Sequence, residues 1–433
     1  MKDDAHRMGL ADILQSWISR AGLRFLLITD ILIIGVLAHP YLAATGLAYS
    51  LGGVLYAASQ GLLIGCLTFV AAAPERLALV LREGLIFALA MGTGLALLCQ
   101  YGSGWIVLLG QEPELAEDAG PLLAALGLGL PLHYMFVALG YVLEAQGARR
   151  LVARWVGLGF ASNIVLSVSL PLAFNAGPNV TVWIIVLTTF ALRILILLGL
   201  IHAALRLIDL EPLLSLPRLS WRAGHDLRRI GFAAGAGIAI ESAAFAALSV
   251  FAGWLGPEDL AAYTMLVSLV SIIFSLALAV AVLTAARIAA DSALARTRFR
   301  EGLIVALVLM SILGLLAFLL RGPLISLTIY DPAAAAIALP LVGLVGFLML
   351  GDGGQAVAQN ALRAIGDAWP ATLIHLTGYL CIMVFGGWLL ALPMERGVRG
   401  LLEATAVASF TVLSLLTWRF WRLTSHKESF DAI

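Results

Sequence analysis

The stretches LLGQEPELAEDAGPLLAALG (residues 108–127) and LTIYDPAAAAIALPLVGLVG (residues 327–346) carry glycine and proline at matched positions, 219 residues apart. The register continues without a gap until Gly147 meets Gly366. An earlier pair, GVLAHPYLAA (35–44) and GWLGPEDLAA (253–262), repeats at a shift of 218 and shares the run Leu-Ala-Ala. The chain therefore reads as an internal duplication. Residues 1–207 form one half and 226–433 the other, with 208–225 (IDLEPLLSLPRLSWRAGH) as a cytoplasmic linker.

What each half contains follows from composition. Of 433 residues, 61% are hydrophobic and 12% charged, whereas soluble domains carry roughly a quarter charged residues. A helix needs about 20 apolar residues to span the hydrocarbon core. Dividing the chain at charged, proline-rich and glycine-rich punctuation gives helices over 13–38, 41–73, 79–110, 114–146, 150–173 and 178–207 in the first half. The second half gives 226–254, 258–290, 297–328, 332–364, 367–392 and 396–422. The expected fold is an all-α polytopic membrane protein of twelve transmembrane helices in two six-helix bundles. Six crossings return the chain to its starting side, so the halves are parallel repeats with pseudo-twofold symmetry along the membrane normal.

Charge placement tests that count, because Lys and Arg concentrate on cytoplasmic loops. With both termini inside, 20 of the 26 basic residues fall on inner segments and three (Arg321, Arg396, Arg399) on outer ones. Arg20, Arg24 and Arg193 fall within helices. A miscounted helix would have scrambled the alternation. The expected location is the inner (plasma) membrane, with both termini cytoplasmic.

Three acids lie well inside predicted spans: Asp30, Glu241 and Asp352. A carboxylate in hydrocarbon is costly and faces a water cavity, pairs, or takes up a proton. Glu241 is twelve residues from Arg229, and Asp352 eleven from Arg363. At about 1.5 Å per residue both sit roughly 16–18 Å from the cytoplasmic rim, near mid-bilayer, and are expected to share one bundle. Gly351, Gly353 and Gly354 flank Asp352; they either open an approach to the carboxylate or serve close helix packing. Arg20 and Arg24, four apart, share a helix face and can snorkel to the cytoplasm; Arg193 is deeper. Arg24 and Arg193 are the candidate cavity cations. His133, His202 and His375 are isolated and read as core or interface histidines before a proton relay.

No HExxH, GxxxxGK, GxSxG or DDxxD pattern is present, and no metal-ligand or disulfide spacing relates Cys66, Cys99 and Cys381. No enzyme activity and no cofactor are expected. Zero net charge gives no support for a nucleic-acid partner. The sequon at Asn179 is a three-residue pattern only.

TDILIIGVLAHPYLAATGLAYS, GYVLEAQGARR, IESAAFAALSVFAGWLGPEDLAA and GDGGQAVAQNALRAIGDAWPA, together with the stretch at 108, resemble signature segments of the multidrug and toxic compound extrusion (MATE) transporters across nearly the whole chain. The resemblance implies two bundles around a central cavity and export driven by a proton or sodium gradient. By position it implies that Asp30 is the first-helix acid, with Asn163 and Thr188 or Thr189 beside it as a possible Na+ site. It implies that Glu241 and Asp352 are the acids of the other bundle, with Gln355 one turn on. Ser167 stands where some relatives carry an acid or asparagine, and FGGW (385–388) replaces a proline-containing turn after Tyr379. The expectation is a monomeric antiporter in the lipid bilayer that exports small organic compounds. A flippase or exporter of lipid-linked or anionic amphipathic metabolites is the alternative.

Overall fold

Proline punctuates the fold. Helices α2 (His39–Val70), α4 (Pro113–Ala145), α6 (Pro178–Leu207), α8 (Pro257–Ala290) and α10 (Pro332–Ala364) each open on a proline at or beside their first residue. Proline suits that place because its missing N–H would have had no partner in the first turn. The odd helices are α1 (Leu26–Leu37), α3 (Leu77–Cys99), α5 (Arg149–Ala173), α7 (His225–Leu255), α9 (Ala295–Leu319) and α11 (Ala368–Ala391); α12 (Gly397–Phe430) closes the chain. The computed structural model describes residues 26–208 and 224–430. The readings of Arg20 and Arg24 lie outside them. Among the described residues eleven helices are long and apolar enough to cross a membrane, and Leu26–Leu37 is a shorter apolar helix. Leu97, Leu172, Leu187 and Leu319 are each at least 60% exposed. An apolar cover of this extent fits a lipid-facing surface better than a wet one.

The duplication is visible in the backbone. Helices α4 and α10 end in the same cap: Gly147 (φ 82°) and Gly366 (φ 89°) are left-handed. Ala148 N–H donates to Leu143 O, and Asp367 N–H to Leu362 O, at 2.9 Å in both. A left-handed glycine with that six-to-one bond satisfies carbonyls the helix end leaves over. Upstream the repeats diverge. Helix α4 runs through Pro121 and breaks at Gly129, before Pro131. Helix α10 instead tightens to a 3-10 turn at Leu339–Leu341, around Pro340.

By packing, the described residues divide into two units between Pro257 and Glu258. Helix α7 thus groups with the first half by contact, whereas the duplication assigns it to the second. The cause is a seam of small residues along α2. A Cβ at Gly231 would come 2.0 Å from Leu62 O, and one at Gly61 2.5 Å from the Ala234 backbone. Ser50 and Ser249 hydroxyls meet at 2.8 Å. Gln111 donates to Val250 O at 2.9 Å, and Trp254 to Leu109 O at 2.9 Å. Near the other end of α7 the buried Glu83 carboxylate lies 3.1 Å from Arg82 and 3.6 Å from Arg228.

In the second unit α10 packs against α9 and α12. The three glycines around Asp352 are packing residues. Added Cβ atoms would meet Phe410 N at 3.0 Å (Gly351), Met310 Cγ at 2.6 Å (Gly353) and Leu413 Cδ2 at 2.8 Å (Gly354). The expectation that they open a path to the carboxylate is therefore corrected: neighbouring helices fill the space. Helix α11 contains a π-helical stretch, Gly378–Val384, a widened turn of a kind frequent at functional sites.

Candidate functional site

Each packing unit encloses one fully buried aspartate among hydrogen-bond donors. In the first unit, Asp30 of α1 is 0% exposed. Its Oδ2 accepts from the Thr189 hydroxyl of α6 at 2.7 Å and the Tyr49 hydroxyl of α2 at 3.2 Å. Its Oδ1 accepts from Asn163 Nδ2 of α5 at 3.3 Å. Asn163 Nδ2 also donates to Thr189 Oγ1 at 2.8 Å, so four helices converge on one carboxylate. Ser167 is buried one turn along α5, its hydroxyl 3.5 Å from Asn163 Nδ2, at the limit of a hydrogen bond. Thr188 is buried alongside, and it is Thr189 that reaches the acid.

Arg193, one turn after Thr189, belongs to the same cluster. It is 6% exposed, donates to the Tyr56 hydroxyl and holds its guanidinium carbon 4.3 Å from the Tyr56 ring centroid. Tyr56 in turn donates to Leu126 O at 2.7 Å, beside the break in α4. His133 Nε2 lies 3.1 Å from Ser59 Oγ, and its ring meets Tyr56 edge-on at 4.7 Å.

In the second unit, Asp352 is 3% exposed. Its Oδ1 accepts from Gln355 Nε2 at 2.7 Å, the Tyr379 hydroxyl at 2.9 Å and the Ser409 hydroxyl at 2.9 Å. Gln355 also donates to the Tyr379 hydroxyl, and His375 stacks on Tyr379 with centroids 4.3 Å apart. Tyr379 is the second residue of the π-helical stretch, which ends just before FGGW (385–388).

Hydrogen bonds to a charged group are worth about 1.5–3 kcal/mol each. Three of them are of the same order as the several kcal/mol it costs to bury one ion. Such a carboxylate is held in place, yet it remains the one basic oxygen pair in an apolar setting.

The structure brings together Asp30, Asn163, Thr189 and Arg193, and separately Asp352 with Gln355. Glu241 is half-buried on α7, which by contact groups with the first packing unit, whereas Asp352 is in the second. Tyr49, Tyr56 and Ser409 were not singled out from the sequence. Tyr49 and Tyr56 are seven residues apart, two helical turns on one face, a signal that was available. Ser409 offers none.

A model of the MatE family matches the chain twice, over residues 16–169 and 234–388. The chain belongs to the MatE family. The two matches begin 218 residues apart and end 219 apart, the two shifts of the sequence repeat. Among MatE relatives, the "Probable multidrug resistance protein NorM" of Caulobacter vibrioides is 32% identical, covering 94% of this chain and 90% of its own. The "Multidrug resistance protein NorM" of Burkholderia vietnamiensis is 28% identical, covering 92% and 90%. The fold matches an inward-facing structure of a multidrug resistance MATE family transporter with a TM-score of 0.83 and 16% identity, over 97% of this chain and 99% of that one. A eukaryotic MATE transporter matches with a TM-score of 0.74 and 20% identity, over 98% of both chains. The protein is thus a multi-pass integral membrane protein with the MatE fold.

Proposed function

We propose that this protein is a secondary active exporter that moves small organic, drug-like compounds out of the cell by alternating access, in exchange for protons or sodium ions. The carrying observation is the pair of buried aspartates, one in each packing unit, each encircled by hydroxyl and amide donors from several helices. Intramembrane carboxylates are functional by default, and here each has a scaffold that fixes its position. The curated relatives' names as multidrug resistance proteins support the substrate class.

Export follows if the cargo and the coupling ion compete for the same acids. An ion can drive the exchange only to the extent that it binds one conformation more tightly than the other. Loading an Asp with an ion removes a charge from its cluster, so the donors on α2, α5 and α6, or on α11 and α12, must rearrange. That is a direct route from ion occupancy to helix position. Glu241, half-buried on α7, is a third acid for cationic cargo. The orientation with both termini cytoplasmic rests on the basic-residue count and belongs to this proposal.

The reading as an exporter of lipid-linked or anionic metabolites needs a free cavity cation. Arg193 is engaged by Tyr56 and buried, which favours drug-like over anionic cargo. The test is dye efflux in inverted vesicles by wild type, D30N, E241Q and D352N. Loss of gradient-driven efflux in D30N and D352N is expected; wild-type rates in all three variants would overturn the proposal.

A further inference from the structure

We infer that Arg193 is a resident cation of the Asp30 cluster and that it excludes sodium from that site. The inference rests on the reading of Asp30 as an ion-coupling acid and concerns which ion the site refuses. A sodium ion at Asp30 and Asn163 is what the family resemblance allows, and the residues present do not fit it.

The first reason is charge. Among the side chains of this cluster Asp30 is the one carboxylate. Ser167, Asn163, Thr188, Thr189, Tyr49 and Tyr56 are neutral polar groups, and His133 is tied to Ser59. Arg193, buried one turn after the Thr189 that bonds Asp30, already supplies a positive charge to the cluster. Unlike lysine, arginine cannot shed its proton to make room for another cation. Adding sodium would leave the buried cluster with one net positive charge, in a medium where like charges repel far more than in water.

The second reason is that the guanidinium is engaged by Tyr56. It sits over the Tyr56 ring and donates to the Tyr56 hydroxyl. That hydroxyl is anchored on Leu126 O at 2.7 Å. A Cβ at Gly129 would come 2.9 Å from Arg193 Nη1 and 2.6 Å from the Tyr56 hydroxyl, so the break in α4 is shaped around this pair.

The third reason is the supply of oxygens. Both Asp30 oxygens already accept hydrogen bonds, from Thr189, Tyr49 and Asn163. A hard cation needs several oxygen ligands with lone pairs directed at it. Asn163 Oδ1 has no hydrogen-bond partner and suits a cation. With Ser167 in place of a second acid, one amide oxygen does not complete a cage.

The experiment uses the purified full-length protein in detergent, with thermal unfolding midpoints measured in sodium chloride and in choline chloride at equal ionic strength. Wild type is expected to unfold at the same temperature in both. R193M is expected to gain a sodium-dependent rise, with sodium bound roughly tenfold or more tighter than in wild type, and D30N/R193M to lose it. R193Q, neutral and hydrogen-bonding, serves if R193M does not fold. A sodium response in wild type that D30N abolishes would overturn the inference. So would the absence of any response in both R193M and R193Q. Because binding is read without turnover, a protein that exports nothing from liposomes would refute the exporter reading and leave this test standing.

Discussion

Ser409 shows how little of a buried site a sequence need betray. It is one of several serines and threonines in the apolar run of α12, and its hydroxyl reaches Asp352 from 57 residues away. Asp30, Asn163, Thr189 and Asp352 were legible because polar and acidic residues within apolar spans are anomalous. Serine in such spans is ordinary, so Ser409 was not, and tertiary packing alone selects it; Tyr49 and Tyr56 offered only their shared helix face. Removing one donor to a buried carboxylate forfeits about 1.5–3 kcal/mol. S409A and T189A are each expected to slow initial efflux by roughly tenfold at unchanged protein level, measured with a fluorescent dye in inverted vesicles. Wild-type rates in both would mean that these hydroxyls do not support the acids. His375 and His133 are buried, as read, each against a tyrosine of its site, whereas His202 is exposed.

At the scale of the helix, sequence located all the spans that the described residues contain, because length and apolar run decide them. It did not reveal that α7 packs along α2, since that contact depends on which small residues face each other. Gly231 is decisive there. G231A drives a methyl group against the Leu62 carbonyl, where 2.0 Å is available, and the backbone must shift. Overpacking of this kind costs about 1–3 kcal/mol. A lower unfolding midpoint is expected for G231A and none for G53A, whose Cβ would meet nothing within 4 Å; equal midpoints would refute the seam. Glu83 makes a second hold between α3 and α7. E83Q leaves Arg228 buried without its carboxylate, a loss of about 3–5 kcal/mol for a buried pair. The double variant E83Q/R228M should be less destabilised than the sum of the single changes in a thermal-unfolding cycle. Strict additivity would show that the pair does not interact. The π-helical stretch in α11 was likewise hidden. The sequence showed a missing proline, and the structure shows a widened turn that carries Tyr379 to Asp352.

At the scale of the molecule, the duplication was the most legible feature, because glycine and proline at helix ends survive where apolar side chains interchange freely. Gly147 and Gly366 keep the same left-handed cap, while the bends within α4 and α10 have moved to different prolines. The two repeats have also built their acid sites differently. Asp30 has an arginine and an asparagine around it; Asp352 has a glutamine, a tyrosine and a serine. Two unlike acids suggest a division of labour between the coupling ion and the cargo. On that division, D30N should abolish the response of transport to the ion gradient, whereas D352N should also weaken cargo binding. The central claim is most directly tested by dye transport in proteoliposomes of wild type and D30N, with the pH and sodium gradients imposed independently. The account predicts that wild type concentrates dye when a pH gradient is imposed, that a sodium gradient alone drives nothing, and that D30N does neither. Transport by D30N at the wild-type rate under the same gradient would contradict it.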